Sequence, residues 1–235
     1  MKSAFKFLGI IVLTVLIALT MSTCEEDNGG IGGGGSSVSV TADFLKLAGK
    51  VWTFQNSMTG YSFKEFKGDV GLSDIASSGV ITNGSLNFTV GVIDTQFPFS
   101  HYLDYLFNGY DVAQSDSDVF YHVIKRISSR NSNYFGIQLI KYEVSASKYL
   151  DENVSFIYVT KPVRLTAEGW TDIDEYGEEV YESIDIQLTQ GWNAISSKNE
   201  GVFSGSNNTF TRSYSKLNSV SSSYTWVISE RYNND

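Results

Sequence analysis

Cysteine, proline and histidine are scarce in this 235-residue chain, which has one Cys, two Pro and two His. A single Cys excludes an intrachain disulfide and any Cys-rich zinc site. Two His leave little material for a His-based metal centre or a catalytic triad. Positive charge is scarce as well. With 17 Lys+Arg against 26 Asp+Glu the formal charge is −9, which argues against nucleic-acid binding, because counterion release needs rows of cations on phosphates. No Walker loop and no G-x-S-x-G elbow occurs. No metal site, cofactor site or nucleotide cradle is therefore expected, and the case for an enzyme is weak.

What is present begins at the N-terminus. Lys2 and Lys6 form a positive n-region, and Phe7 to Leu19 is an apolar run of thirteen residues interrupted by Gly9 and Thr14. That is the length of a signal-peptide core and short of the roughly 20 residues needed to cross a hydrocarbon layer. Met21-Ser22-Thr23-Cys24 follows directly, and Cys24 is the chain's one cysteine. The arrangement resembles a bacterial lipoprotein signal, with Leu19 and Ser22 in the box before the Cys and Thr23 standing where Gly, Ala or Ser is usual. The resemblance implies that residues 1–23 are removed and that Cys24 is lipidated. Two or three acyl chains make a stable anchor where one does not, so the partner expected at this end is a membrane.

Residues 24–37 read as a tether. Glu25-Glu26-Asp27 is followed by six glycines between Gly29 and Gly35, then Ser36-Ser37. Such a segment buries too little to offset its ordering entropy, and a dozen or so residues of it reach about 20 Å. The acidic run behind Cys24 is similar to the export signal of surface lipoproteins in the Bacteroidetes. That resemblance implies an outer-membrane lipoprotein of the cell envelope, exposed at the surface or facing the periplasm.

From residue 38 to 235 the sequence reads as one all-β domain, an antiparallel sandwich with at most two short helices, the alternative being two sandwiches divided near residues 145–153. The helix candidates are Thr41 to Ala48 and His101 to Phe107. Asn83-Gly84, between Val80-Ile81-Thr82 and Ser85 to Val90, carries the chemistry of a two-residue type I′ hairpin. Val119 to Ile127 and Tyr134 to Val144 read as a second hairpin. Further strands are expected at Val154–Thr160, Val163–Ala167, Val180–Leu188, Trp192–Ser196, Thr209–Tyr214 and Tyr224–Tyr232. Ile184, Ile186 and Leu188 alternate with Asp185 and Gln187, the pattern of a strand with one wet face. Roughly a dozen strands at this spacing make a sandwich or a barrel.

The chain carries 4 Trp, 14 Tyr and 15 Phe. Most belong in a core, and two are candidate ligand-stacking residues. Trp170 and Trp192 each follow a Gly at the edge of an expected strand, where a ring can serve as a platform for a sugar. Asp172-Ile173-Asp174-Glu175-Tyr176-Gly177 has the opening spacing of a calcium loop. Tyr176 and Ser183 fall where oxygen ligands belong, so the segment reads as an acidic hairpin tip. No pair of acids has the spacing of a glycosidase site, which leaves a carboxylate-dependent hydrolase as a third reading.

Leu47-Ala48-Gly49-Lys50-Val51-Trp52, with Arg231 in the last strand, resembles the Gly, Trp and Arg closure of the lipocalins. The spacing here is Gly-x-x-Trp in place of Gly-x-Trp. The resemblance implies a barrel carrying a small apolar ligand, the alternative to the reading that residues and composition favour. That reading is a lipid-anchored, non-catalytic β-rich binding or structural domain, with a glycan or another envelope protein as its partner.

Overall fold

In the computed structural model, which describes residues 36–57, 60–68, 70–71, 80–93, 103, 106–107, 109–128, 135–174, 177–204 and 207–230, the Asn83-Gly84 turn forms as its chemistry requires. Asn83 and Gly84 take φ of 51° and 72°, the left-handed pair of a type I′ turn, and Ile81 faces Leu86 across it. A Cβ on Gly84 would stand 2.4 Å from the Phe66 carbonyl oxygen. Space as well as φ therefore demands glycine there.

The strands run in chain order as β1 (Ser37–Val40), β2 (Leu45–Ser57), β3 (Gly60–Glu65), β4 (Val70–Gly71), β5 (Val80–Thr82) and β6 (Ser85–Val90). They continue as β7 (Ala113–Gln114), β8 (Tyr121–Ile124), β9 (Ile127–Ser128), β10 (Phe135–Val144), β11 (Lys148–Val159) and β12 (Val163–Ala167). The last six are β13 (Trp170–Asp174), β14 (Gly177–Tyr181), β15 (Ile184–Leu188), β16 (Gly191–Ser204), β17 (Asn207–Leu217) and β18 (Thr225–Glu230). The protein is all-β, with parallel pairing at β14–β17 and β18–β2 and antiparallel pairing elsewhere.

Three layers result. A long leaf runs β13-β14-β17-β16-β11-β10-β18 and continues into the second half of β2. The first half of β2 belongs to another leaf, where Leu45–Lys50 pairs with β6 while Val51–Thr53 pairs with β18. The corner is at Gly49, whose φ is 145° and whose Cβ would lie 2.9 Å from the Ser36 Cα. Trp226 plugs this corner, donating its indole N–H to the Ala48 carbonyl at 3.1 Å. A third, three-stranded sheet of order β15-β12-β7 covers the far side of the long leaf. Among the described residues the large sheet ends at β13 and at β4 without closing, so the lipocalin-like barrel is not the architecture adopted.

Side chains on a strand alternate between faces, and β11 therefore feeds two cores. Val154, Phe156 and Tyr158 pack with Leu45, Leu86, Trp192 and Trp226 between the two leaves. Ile157 and Val159 pack with Leu165, Ile186, Leu188 and Phe107 under the three-stranded sheet. Each fully buried side chain of this size contributes roughly 1.5–3 kcal/mol by leaving water.

Several expectations are met and several are corrected. β12 matches its expected span, and β15 shows the predicted alternation of buried and exposed residues. Thr41 to Ala48 is not helical. Thr41 and Phe44 close a turn, and β2 starts at Leu45 with Leu45 and Leu47 buried and Lys46 exposed, a two-residue period that no helix gives. Part of the His101–Phe107 candidate lies outside the described residues; within them, the Phe107 N–H bonds to the Leu103 carbonyl as in a helical turn. Val180 to Leu188 is two strands in different sheets, broken at Glu182-Ser183. Val119 to Ile127 does not pair along β10 as a simple hairpin. β10 and β11 pair with each other at Leu139–Val144 and then part, with β8 on β11 and β9 on β10. The described residues form one compact unit, and residues 145–153 lie in the β10–β11 hairpin within the long leaf.

Candidate functional site

The three-stranded sheet does not cover the whole face it sits on. Its strands β12 and β15 have five residues each, whereas β11 has twelve and β16 fourteen. At about 3.4 Å per residue the cover spans about 17 Å of strands more than twice that length. On the covered part of this face β11 presents Ile157 and Val159. The same alternation then gives Ser155, still buried, and beyond it the half-buried Asn153, Asp151 and Tyr149.

Cross-strand register assembles a row on the uncovered part. Trp170 pairs with Tyr181, Tyr181 with Arg212, Arg212 with Asn199, Asn199 with Asp151 and Asp151 with Tyr142. Directly paired residues project from the same face, and six strands at about 4.8 Å spacing span about 24 Å. The row has aromatic rings at both ends and an arginine, an amide and a carboxylate between them.

The contacts are specific. Trp170 stacks on Tyr181 with centroids 4.1 Å apart and planes 10° from parallel. The Arg212 guanidinium lies 5.2 Å from the Tyr181 centroid, a cation–π distance. Arg212 donates through Nε to Asn199 Oδ1 at 3.0 Å. Asp151 accepts from Asn153 Nδ2 at 2.9 Å and from the Tyr149 hydroxyl at 3.4 Å, and the Tyr149 ring meets Tyr142 edge-on at 5.6 Å. Among the described residues neither Arg212 nor Asp151 belongs to an ion pair.

Behind the row Tyr110 fixes the aromatic end. Its ring meets Trp170 and Tyr214 edge-on at 4.8 and 5.5 Å, and its hydroxyl donates to the Glu182 carbonyl at 2.9 Å. Burial, with Tyr214 adding to it, pushes this hydroxyl up to about 12. Burial also raises the Asp151 carboxyl above the usual aspartate range, against the two hydrogen bonds it accepts. Burial lowers the Lys125 ammonium, helped by the neighbouring Arg126. Desolvation thus works against both charges that this face presents at its β11 side.

Two open recesses flank the Asn199–Arg212 pair. One of about 270 Å³ is lined by Tyr149, Tyr181, Phe210 and Glu179. The other, about 310 Å³, is lined by Lys125, Gln138, Asp151, Asn153, Ser155 and Ser197. Asn199 and Arg212 line both. Together the recesses fall in the size range of small-ligand sites. The first offers ring faces and the second offers donors and acceptors.

Of the residues singled out in the sequence, Trp170 is at this site. It is 38% exposed and extends the row beyond the first recess. Trp192 is elsewhere: it is 3% exposed, packs against Tyr158 and donates its indole N–H to the Gly91 carbonyl at 3.0 Å. Its ring is a core element with no face toward solvent. Cys24 and Arg231 lie outside the described residues. On either side of the acidic segment β13 and β14 pair antiparallel, with Asp174 opposite Gly177; Glu175 and Tyr176 lie outside the described residues. Among the described residues no three His, Cys, Asp or Glu side chains converge as a metal site would need, and no helix is long and apolar enough to cross a membrane.

Arg212, Asn199, Asp151 and Asn153 were not legible as a site, because register joins residues sixty positions apart. One local signal was available. Asp151, Asn153 and Ser155 precede Ile157 and Val159 at two-residue spacing, so one face of a strand turns from wet to dry along its length. Fold and face together define an all-β sandwich with an open, polar, aromatic-flanked sheet surface. Comparisons with family models, curated proteins and solved structures find no match to this chain.

Proposed function

We propose that this chain is a lipid-anchored protein of the bacterial cell envelope whose β-rich body binds a glycan without chemical turnover, using the uncovered face of the long leaf. The observation that carries the reading is the row Trp170–Tyr181–Arg212–Asn199–Asp151–Tyr142. Sugars present hydroxyls that donate and accept, and C–H faces that pack on rings. Asp151 supplies acceptors, Asn199 both kinds of group, and Arg212 planar donors, while Phe210 and Tyr149 supply rings in the first recess. A shallow, open recess suits an extended chain of sugars better than a small molecule that must be enclosed. The anchor rests on Lys2, Lys6, the Phe7–Leu19 run and Cys24, and the acidic and glycine-rich residues behind Cys24 favour the outer membrane.

Two measurements test these halves separately. Binding of the full chain, held in mild detergent, to an array of neutral and acidic oligosaccharides tests the ligand class. The expected result is saturable binding that falls at least tenfold in Asn199→Ala. Binding to no saccharide overturns the glycan reading. For the anchor, Cys24→Ala is expected to move the protein from the detergent phase to the aqueous phase on phase separation; retention in the detergent phase contradicts lipidation.

A further inference from the structure

Resting on that glycan reading, we infer that the saccharide is an acidic one, whose carboxylate seats on the guanidinium of Arg212. The argument begins with a contrast between two arginines on strands. Arg164 gives Nε and Nη2 to the two oxygens of Asp185, both at 2.7 Å. Arg212 gives Nε to the Asn199 side-chain oxygen, and among the described residues no carboxylate takes its two terminal nitrogens.

Among the described residues Lys141, Lys148, Lys161, Arg164 and Lys198 each have a carboxylate partner. Lys46, Lys50, Lys64, Lys67 and Arg126 have none in an ion pair and are exposed to water, whereas Arg212 has none and is half-buried, as is Lys216, which donates to Thr189. Arg212 lines both recesses. A guanidinium held at Nε and set against a ring is oriented in advance. Its remaining fork matches a carboxylate by two parallel hydrogen bonds.

The neighbours define the rest of the ligand. A sugar ring bearing the carboxylate lies against Phe210 in one recess, since Trp170 and Arg212 cover the faces of Tyr181. The next sugar in the chain reaches Asp151, Asn153 and Ser197 in the other, where hydroxyls meet acceptors and amides. Glu179, whose carboxylate accepts the Tyr181 hydroxyl at 2.8 Å, and Asp151 stand on either side of Arg212. These acids, with Glu200 of the first recess, oppose a ligand carboxylate, and the two-point fork of Arg212 is what must outweigh them. The chain's net negative charge opposes approach from a distance, but at physiological salt that field is screened beyond about 8 Å, and the fork acts within it.

The test measures binding of the full chain in mild detergent to tetrasaccharides from pectin, alginate and hyaluronan, to their carboxyl-reduced forms, to sulfated galactan and to neutral oligosaccharides. The expected result is that at least one carboxylated tetrasaccharide binds at least tenfold more tightly than its reduced form. Arg212→Gln is expected to abolish that preference and Arg212→Lys to weaken it at least tenfold, since Lys keeps the charge and loses the fork. An unchanged far-ultraviolet spectrum and melting temperature show that these variants are folded. If neutral and reduced sugars bind as tightly as acidic ones, the inference falls and the glycan reading stands. Equal binding of sulfated galactan overturns the carboxylate assignment. Binding of nothing in the panel removes the glycan reading and this inference with it.

Discussion

On one side of β11, Val154, Phe156 and Tyr158 enter the space between two leaves, where polar groups are admitted only with partners. The Glu152 carboxylate at its border accepts Ser196 Oγ at 2.5 Å and the Tyr224 hydroxyl at 2.6 Å. On the other side, Ile157 and Val159 are sealed by the three-stranded sheet, while Asp151 and Asn153 run on beyond it. The difference teaches how a sheet makes a surface for binding. Strands of twelve and fourteen residues under strands of five leave part of one face uncovered, and its rows are set by register.

The sharpest way to break the comparison is to damage the dry side. Trp226→Ala opens a cavity at the corner where β2 changes leaf, and is expected to cost about 3–5 kcal/mol in urea unfolding. A loss below about 1 kcal/mol would mean that the corner is not packed as described. Next comes Tyr224→Phe. Burial and the Glu152 carboxylate hold this hydroxyl well above the usual tyrosine range, so it remains a donor at every ordinary pH. Removing it leaves the carboxylate with Ser196 alone and is expected to cost about 1–3 kcal/mol.

The smallest effect, and the one with the opposite sign, belongs to the wet side. Asp151 has its folded pKa raised by burial above the ordinary 3.8. The folded state therefore disfavours its charge, and the stability present below about pH 4 is lost as pH rises through the raised value. Asp151→Asn is then expected to raise the urea midpoint at pH 7 and to leave it unchanged at pH 3. A lower midpoint at pH 7 would show that Asp151 serves the fold, and the contrast between the two sides would fail.

The legibility of these regions follows the range of the interactions that build them. Asn83-Gly84 was readable because two adjacent residues determine the turn, and Ile184, Ile186 and Leu188 because alternation is local. Thr41 to Ala48 is ambiguous in sequence because Phe44, Leu45 and Leu47 fit a helical turn as well as a strand. Only the burial of Leu45 and Leu47 on one leaf decides between them. The break at Glu182-Ser183 was hidden because it depends on which sheet each half joins. Tyr181 stays beside Trp170 in the long leaf, and Ile184 crosses to Ala167. Trp170 and Trp192 carried the same local mark, a preceding glycine at a strand edge, yet one stands on the rim of the open face and the other fills the core.

Three of the four tryptophans make the most direct test of the central claim, because their indole N–H groups report separately on the two sides. Trp192 and Trp226 bond to the Gly91 and Ala48 carbonyls within the dry core, and Trp170 stands on Tyr181 beside the recess. In a ¹H–¹⁵N spectrum of the full chain in detergent micelles, with Trp170→Phe assigning that signal, titration with the carboxylated tetrasaccharides should move the Trp170 indole peak saturably. The peaks of Trp192 and Trp226 should stay in place. A titration that shifts Trp192 or Trp226 and leaves Trp170 unmoved, or that moves none of them, would contradict the assignment of the open face as the binding surface.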